Sequence, residues 1–154
     1  PVPMKNSVII MAILFTFFGC QKDKDDSIDR EAMLTSGTWK ISALTVDPAI
    51  DWFGTMVTNV YAQMPSCLKD NLTIFNKNGT TNYDEGPSKC DPNEPQTTSG
   101  SWAFNTDKSI LSLTTDGETE SWNLSTFNDK KIEADYQITE DGITYTFSIT
   151  LNKN

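Results

Sequence analysis

The sequence predicts an all-β fold, an eight-stranded antiparallel up-and-down barrel with a helical insertion in the first loop. The first observation behind this is that apolar and polar residues alternate with a period of two in eight short segments separated by turn residues. The second is that most of these segments are joined by tight turns, at Lys77-Asn78-Gly79, Thr106-Asp107-Lys108, Asp116-Gly117 and Glu140-Asp141-Gly142. Connections this short join antiparallel neighbours, and a meander of eight can close on itself and so lose its edges. The third is a single segment between the first two strands whose apolar residues recur at helical spacing.

The chain opens with Lys5, an apolar run from Val8 to Phe18, Gly19 and Cys20, followed by the charged stretch Gln21 to Asp26. The apolar run is about a dozen residues, too short to span a bilayer that needs ~20, and the pattern is that of a secretory signal. With a cysteine at the first mature position, it resembles a bacterial lipoprotein signal. That resemblance implies acyl chains on Cys20 and durable attachment to a membrane, at about 0.8 kcal/mol per buried CH₂. The other readings are a plain secretory signal, or a tail anchor starting at Met4 with Pro1 to Pro3 upstream of it. The expected organisation is therefore residues 1–19 as signal peptide with upstream residues, 20–30 as lipidated cysteine and flexible charged tether, and 31–154 as the barrel. In Bacteroidetes-type lipoproteins, which the tether resembles, charges after the cysteine act as a surface-export address, and Asp26-Ser27-Ile28 resembles an O-glycosylation motif; the alternative is a solvated linker. The location implied is the cell envelope, lipid-anchored to the outer membrane on its periplasmic or its surface face.

A short helix is expected near Asp29 to Thr35, and then Gly37-Thr38-Trp39 opens the first strand, Lys40 to Val46. The insertion follows. Asp47-Pro48 reads as a cap and first turn, and Trp52, Phe53, Met56, Val57, Val60, Tyr61 and Met64 form an amphipathic stripe over 49–64. The other strands are expected at Asn71 to Asn76, Thr80 to Asp84, Gly100 to Asn105, Ile110 to Thr114, Glu120 to Phe127, Lys131 to Thr139 and Ile143 to Leu151. Alternation assigns one face to Trp39, Ile41 and Ala43; Leu72 and Ile74; Trp102 and Phe104; Leu111 and Leu113; Trp122 and Leu124; Ile132, Ala134, Tyr136 and Ile138; and Ile143, Tyr145, Phe147, Ile149 and Leu151. Their neighbours are polar, so the apolar face is the interior; a membrane barrel would be apolar outside, with strands of about ten residues.

Composition narrows the function. There are 12 basic and 21 acidic side chains, a net charge of −9, and loss of Lys5 with the signal makes the mature chain more acidic still. Nucleic acid and anionic lipid headgroups are poor partners for such a surface. With no histidine anywhere, histidine-based zinc sites, Ser-His-Asp triads and Cys-His dyads are excluded. Once Cys20 is committed to lipid, Cys67 and Cys90 remain as an even pair in an exported chain, which favours a disulfide over a redox or metal-binding pair.

Gly37-Thr38-Trp39 resembles the Gly-x-Trp motif that opens the first strand of lipocalins. The stretch from Leu34 through Trp39, Cys67, Phe75 to Gly79, Cys90 and Gly100-Ser101-Trp102 is similar to the lipocalin-like domain of exported bacterial lipoproteins. The resemblance covers Glu31 to Asn154 and implies that Gly37 and Trp39 form the barrel-closing motif. In an up-and-down barrel, alternate loops share an end. The insertion, the Glu85-to-Ser99 loop, both cysteines and the turns at Asp116-Gly117 and Asp141-Gly142 then gather at the end away from the tether. That end is acidic, which would favour cations, although Asp, Asn and Gly also fill tight turns for backbone reasons.

The expected function is binding of a small apolar or amphipathic molecule, neutral or cationic, at this mouth. Trp52, Phe53, Met56, Val60 and Tyr61 would close over it, and Trp102, Trp122, Tyr136 and Tyr145 would line it. The competing reading is a filled barrel that serves as an accessory or interaction module for an envelope protein, with no small ligand. Asp84, Glu85, Asp91 and Glu94 match no calcium-loop spacing, and Glu118 and Glu120 beside Trp122 read as solvated turn acids rather than a glycosidase pair. No enzyme, cofactor, metal or nucleic acid is expected.

Overall fold

The structure, a computed structural model, describes residues 29–154. The signal segment, Cys20 and the Ser27 motif lie outside the described residues. The elements are α1 (Arg30–Leu34), β1 (Thr38–Trp52), β2 (Thr55–Asn59), α2 (Val60–Gln63), α3 (Ser66–Lys69), β3 (Leu72–Phe75), β4 (Thr80–Asp84), β5 (Thr97–Phe104), β6 (Ile110–Thr115), β7 (Glu118–Phe127), β8 (Lys131–Glu140) and β9 (Ile143–Lys153). Every strand pairs antiparallel with its neighbour, and β1 pairs with both β3 and β9, which closes the sheet. The barrel thus consists of eight strands, β1 and β3 to β9; the ninth, β2, folds back on the upper part of β1.

The insertion is helical only in its last third. Residues 50–59 form a hairpin instead, with Ile50 opposite Val57, Asp51 opposite Met56 and Trp52 opposite Thr55. Phe53 and Gly54 take positive φ of 51° and 86°, and the Asp51 carboxylate accepts the Gly54 N–H at 2.6 Å. That two-residue turn, flanked by the β-branched Thr55, Val57 and Thr58, overrides the helical spacing of the apolar residues. Asp47-Pro48 caps no helix. It lies within β1, where the register with β2 shifts between Thr45 and Ile50, an interruption where proline's missing N–H is tolerated. Helix begins only where the Asn59 side chain accepts from Ala62 N at 3.0 Å, and α2 stops short of Pro65.

Two bulges correct the inward face. The β1–β9 register shifts between Ile41 and Ala43, so Ala43 turns outward, while Leu44 and the buried Val46 face Ile149 and Phe147. A second shift between Leu124 and Thr126 turns Phe127 inward opposite Ile132. In β3 the interior takes Thr73, opposite Trp39, and the buried Phe75, opposite Thr81; Leu72 and Ile74 stay half-buried on the other face. A four-residue strand offers two residues of each parity, and the larger aromatic surface decides which pair goes in.

The lower barrel is filled. Trp39 and Leu34 are both 0% exposed, and Trp39 Nε1 donates to Leu34 O at 2.9 Å, fastening α1 across the closed end. Asp29 caps α1 by accepting from Ala32 N, and Arg30 donates to Lys108 O at 2.7 Å while lying 5.3 Å above the Phe127 ring. Lys153 covers Trp39, its ammonium 5.3 Å from the ring, and its Cε would lie 2.7 Å from a Cβ at Gly37. Phe75, Leu111, Ile132, Ala134, Ile149 and Leu151 complete the core. The described chain enters at this end, so the long loops stand at the other. Among the described residues no helix is long and apolar enough to cross a membrane.

Candidate functional site

At the open end the strands outgrow the core. The β6–β7 hairpin turns at Asp116 and Gly117, both at positive φ, and pairs Thr115 with Glu118, Leu113 with Glu120 and Leu111 with Trp122. Because Leu111 and Leu113 are buried, the same side of β7 carries Trp122, Glu120 and Glu118 inward. On the neighbouring hairpin Tyr83 lies opposite Thr98. Together Tyr83, Thr98, Leu113, Thr115, Glu118, Glu120 and Trp122 line a cavity of about 370 Å³. Its size falls at the small end of the ~300–1,000 Å³ range of ligand pockets.

The barrel also parts sideways here. β7 pairs with β8 only from Asn123 opposite Asp135 downward, so the upper halves of the two strands hold only their outer partners, β6 and β9. A cleft of about 580 Å³ occupies the gap, lined by Glu118, Thr119, Glu120, Ser121, Asn123, Gln137 and Ile138. Glu118 and Glu120 line both spaces.

A stack of aromatic rings runs back from Trp122 in the cavity wall. Trp122 stacks on Tyr136 at 5.9 Å and 16°, and Tyr136 stacks on Phe147 at 5.1 Å and 11°. Trp122 Nε1 donates to Glu120 Oε2 at 3.0 Å, which orients the carboxylate across the mouth. Burial, and after it the charge of Glu120, pushes the Tyr136 phenol up to about 12, so it keeps its proton.

The residues expected to form the site divide among four places. Trp122 lines the cavity, with Tyr136 stacked behind it. Tyr145 is half-buried opposite Ile138, higher on the β8–β9 hairpin. Trp102 sits at the closed end, where its indole donates to Asn76 O at 2.9 Å and it borders a depression of about 230 Å³ with Asp29, Glu31, Ala32, Thr35 and Lys77. Of the insertion residues, Trp52, Phe53 and Met56 stand on the β1–β2 hairpin, where Phe53 is 97% and Met56 65% exposed and Trp52 meets Phe53 edge-on, whereas Val60 and Tyr61 belong to α2, Val60 buried and Tyr61 4.9 Å beneath the Lys69 ammonium. None of the five borders the cavity. Sequence reasoning set aside Glu118 and Glu120 and did not single out Tyr83, Thr98, Leu113 or Thr115 as site residues. The signal was there for the acids, since they share the parity of Trp122.

Cys67 and Cys90 are joined in a disulfide with a Cα–Cα distance of 5.3 Å, tying α3 to the loop after β4. The acids of that loop serve its backbone. Asp84 is held below the usual carboxylate range, first by the Gln96 amide and then by the Gly86 N–H, and Asp91 accepts from Asn93 N at 2.8 Å. Among the described residues, no three acid, cysteine or histidine side chains converge as metal ligands.

The sequence profile of a family described as a lipocalin-like domain matches residues 35–134. No curated protein matches the chain. Two solved structures are similar to it at 10% identity. One is a complex of bovine odorant binding protein with a selenium-containing odorant, at a TM-score of 0.45, covering 80% of this chain and 72% of that one. The other is a deswapped triple mutant of bovine odorant binding protein, at a TM-score of 0.43, covering 77% and 72%.

Proposed function

This chain belongs to the family of lipocalin-like domains, and from that premise we propose that it is a membrane-tethered exported protein that binds one small apolar or amphipathic molecule, neutral or cationic, at the open end of its barrel. The observation that carries the reading is the cavity of about 370 Å³ above a filled core, with Leu113 and Trp122 as its apolar surface. The lower barrel can hold nothing, because Trp39, Leu34 and Phe75 occupy it. Binding therefore belongs to the mouth alone, and the ligand is small. Tethering through Cys20 at the outer membrane follows from the signal pattern, and the closed end, where the described chain begins, would face the anchor. In this reading the protein binds and does not catalyse.

The test is a titration with a neutral apolar probe, 4-phenylbutan-1-ol, followed by intrinsic tryptophan fluorescence. Saturable one-to-one binding that is abolished by Thr98→Trp, a substitution that fills the cavity from its exposed rim, is the expected result. Binding untouched by Thr98→Trp in a folded variant overturns the assignment of the mouth.

A further inference from the structure

We propose that β2 is a dimerisation edge, to which a second copy of this chain adds its own β2 antiparallel; the inference stands apart from what the mouth binds. The barrel closes on itself, but free edges remain where strands outrun its ladder. Where β7 and β8 part, those edges carry Glu118, Glu120 and Glu140. Where β1 runs on past its last pair with β9, Asp47 opposite Thr146, its free side carries Pro48 and Asp51. Charge and proline are the usual means of keeping a strand edge from pairing with another chain. β2 reads Thr55-Met56-Val57-Thr58-Asn59 and has neither. It is the outermost strand of the sheet, and in a chain of net charge −9 it lets two copies meet without setting carboxylate against carboxylate along the seam.

The hairpin turn sets the register of such a pairing. With Phe53 and Gly54 both at positive φ, the two-residue turn is closed by a hydrogen-bonded pair, Trp52 with Thr55. Alternation then directs the N–H and C=O of Thr55 and Val57 at β1, and those of the exposed Met56 and Thr58 away from the sheet. A two-fold axis through Val57 sets Met56 opposite Thr58 of the second copy and Thr58 opposite its Met56. Each of these pairs exchanges both of its hydrogen bonds, and Val57 meets Val57 between them. Past Asn59 the same register lays the Phe53-Gly54 turn against the start of α2 of the second copy. That gives Phe53 a role which a single copy does not supply, since it stands exposed, touching Trp52 edge-on, at a turn position where Asn, Asp or Gly is usual. One short strand and its turn bury less than the roughly 1,200 Å² at which standard interfaces begin, so the dimer is weak and forms with rising concentration.

The test is sedimentation equilibrium of the full chain across the micromolar-to-millimolar range, with residue-resolved amide exchange at both ends of that range. A monomer–dimer equilibrium is expected. At high concentration the Met56 and Thr58 amides should exchange roughly fivefold more slowly than in dilute protein, while those of Thr55 and Val57, already bonded to β1, stay unchanged. Two substitutions on the exposed side of β2 should each weaken the dimer at least tenfold and leave the Tm of dilute protein unaltered. Thr58→Pro removes an outward N–H, and Met56→Lys sets a charge on the edge, across from Asp51 of its own β1. A single monomeric species at every concentration overturns the proposal. So does a dimer that both substitutions leave intact, which would form elsewhere on the chain, or protection of the Met56 and Thr58 amides that does not change with concentration.

Discussion

Gly100→Ala tests the packing at the inner wall of the cavity. Gly100 lies in a paired strand at ordinary extended backbone, opposite Thr81. At an unobstructed strand position, replacing glycine by alanine gains roughly 0.5–1 kcal/mol by restricting the unfolded chain. Here the added Cβ would lie 2.5 Å from Thr114 O, 2.8 Å from Thr81 Oγ1 and 2.9 Å from Thr115 Oγ1. The hydroxyls can rotate aside, but Thr114 O is backbone of β6, so β5 and β6 must part. Overpacking costs about 1–3 kcal/mol, and a clash with backbone rather than with a side chain belongs in the upper part of that range, so after the gain is subtracted it leaves a net loss of about 1–2 kcal/mol. A loss of that size lowers Tm by roughly 3–10 °C for a domain of this length, readable by circular dichroism or by the urea midpoint. A Tm equal to or above that of the unaltered protein would refute the reasoning.

Trp39→Phe removes the indole N–H that satisfies Leu34 O at the closed end, and with the small void left behind it should cost about 2–4 kcal/mol, read as a lower urea midpoint with an unchanged slope. Replacing Cys67 and Cys90 by serine releases a cross-link of 23 residues' separation and should cost roughly 3 kcal/mol in the chain-entropy account; an unchanged urea midpoint would contradict it. Tyr136 should titrate near 12, as followed by phenolate absorbance. Because its folded pKa is raised above the usual 10, its contribution to stability is fully present below pH 10 and is lost as pH rises towards 12. Glu120→Gln should lower that midpoint without restoring the ordinary value, since burial is the larger cause. Serine at Phe53 and Met56 together should leave affinity for 4-phenylbutan-1-ol within threefold, because both stand on the exposed hairpin outside the cavity; a tenfold loss would show that the arm folds over the mouth.

Strict alternation and two-residue turns made most of the barrel legible. β6, β8 and β9 were readable to within two residues because each joins apolar-in, polar-out patterning to Asp, Asn or Gly at the turns, and β4 was bounded by the Asn78-Gly79 turn before it. The misses have separate causes. Parity in the sequence carries no record of a bulge, so Ala43 was assigned to the interior and Val46 was not; one extra residue near Ser42 reverses the face. The arm was misread because Trp52, Phe53, Met56 and Val60 fall at helical spacing, although Phe53-Gly54 followed by three β-branched residues within the next four is a hairpin signal. At the site, parity told which side chains point inward but not their height. Strands in a closed barrel are staggered, so Trp102 and Trp122, both inward, end at opposite ends of the molecule. Glu118 and Glu120 were dismissed as turn acids because their type suggested solvent, whereas their registry with Thr115 and Leu113 places them in the mouth.

Amide chemical-shift mapping with bound 4-phenylbutan-1-ol tests the central claim most directly. The account predicts shifts concentrated at Tyr83, Thr98, Leu113, Thr115, Glu118, Glu120 and Trp122, with the Trp122 indole N–H among the largest. Shifts confined to the hairpin tip at Asp51, Trp52, Phe53 and Gly54, or to the closed end around Trp102 and Lys77, would contradict it.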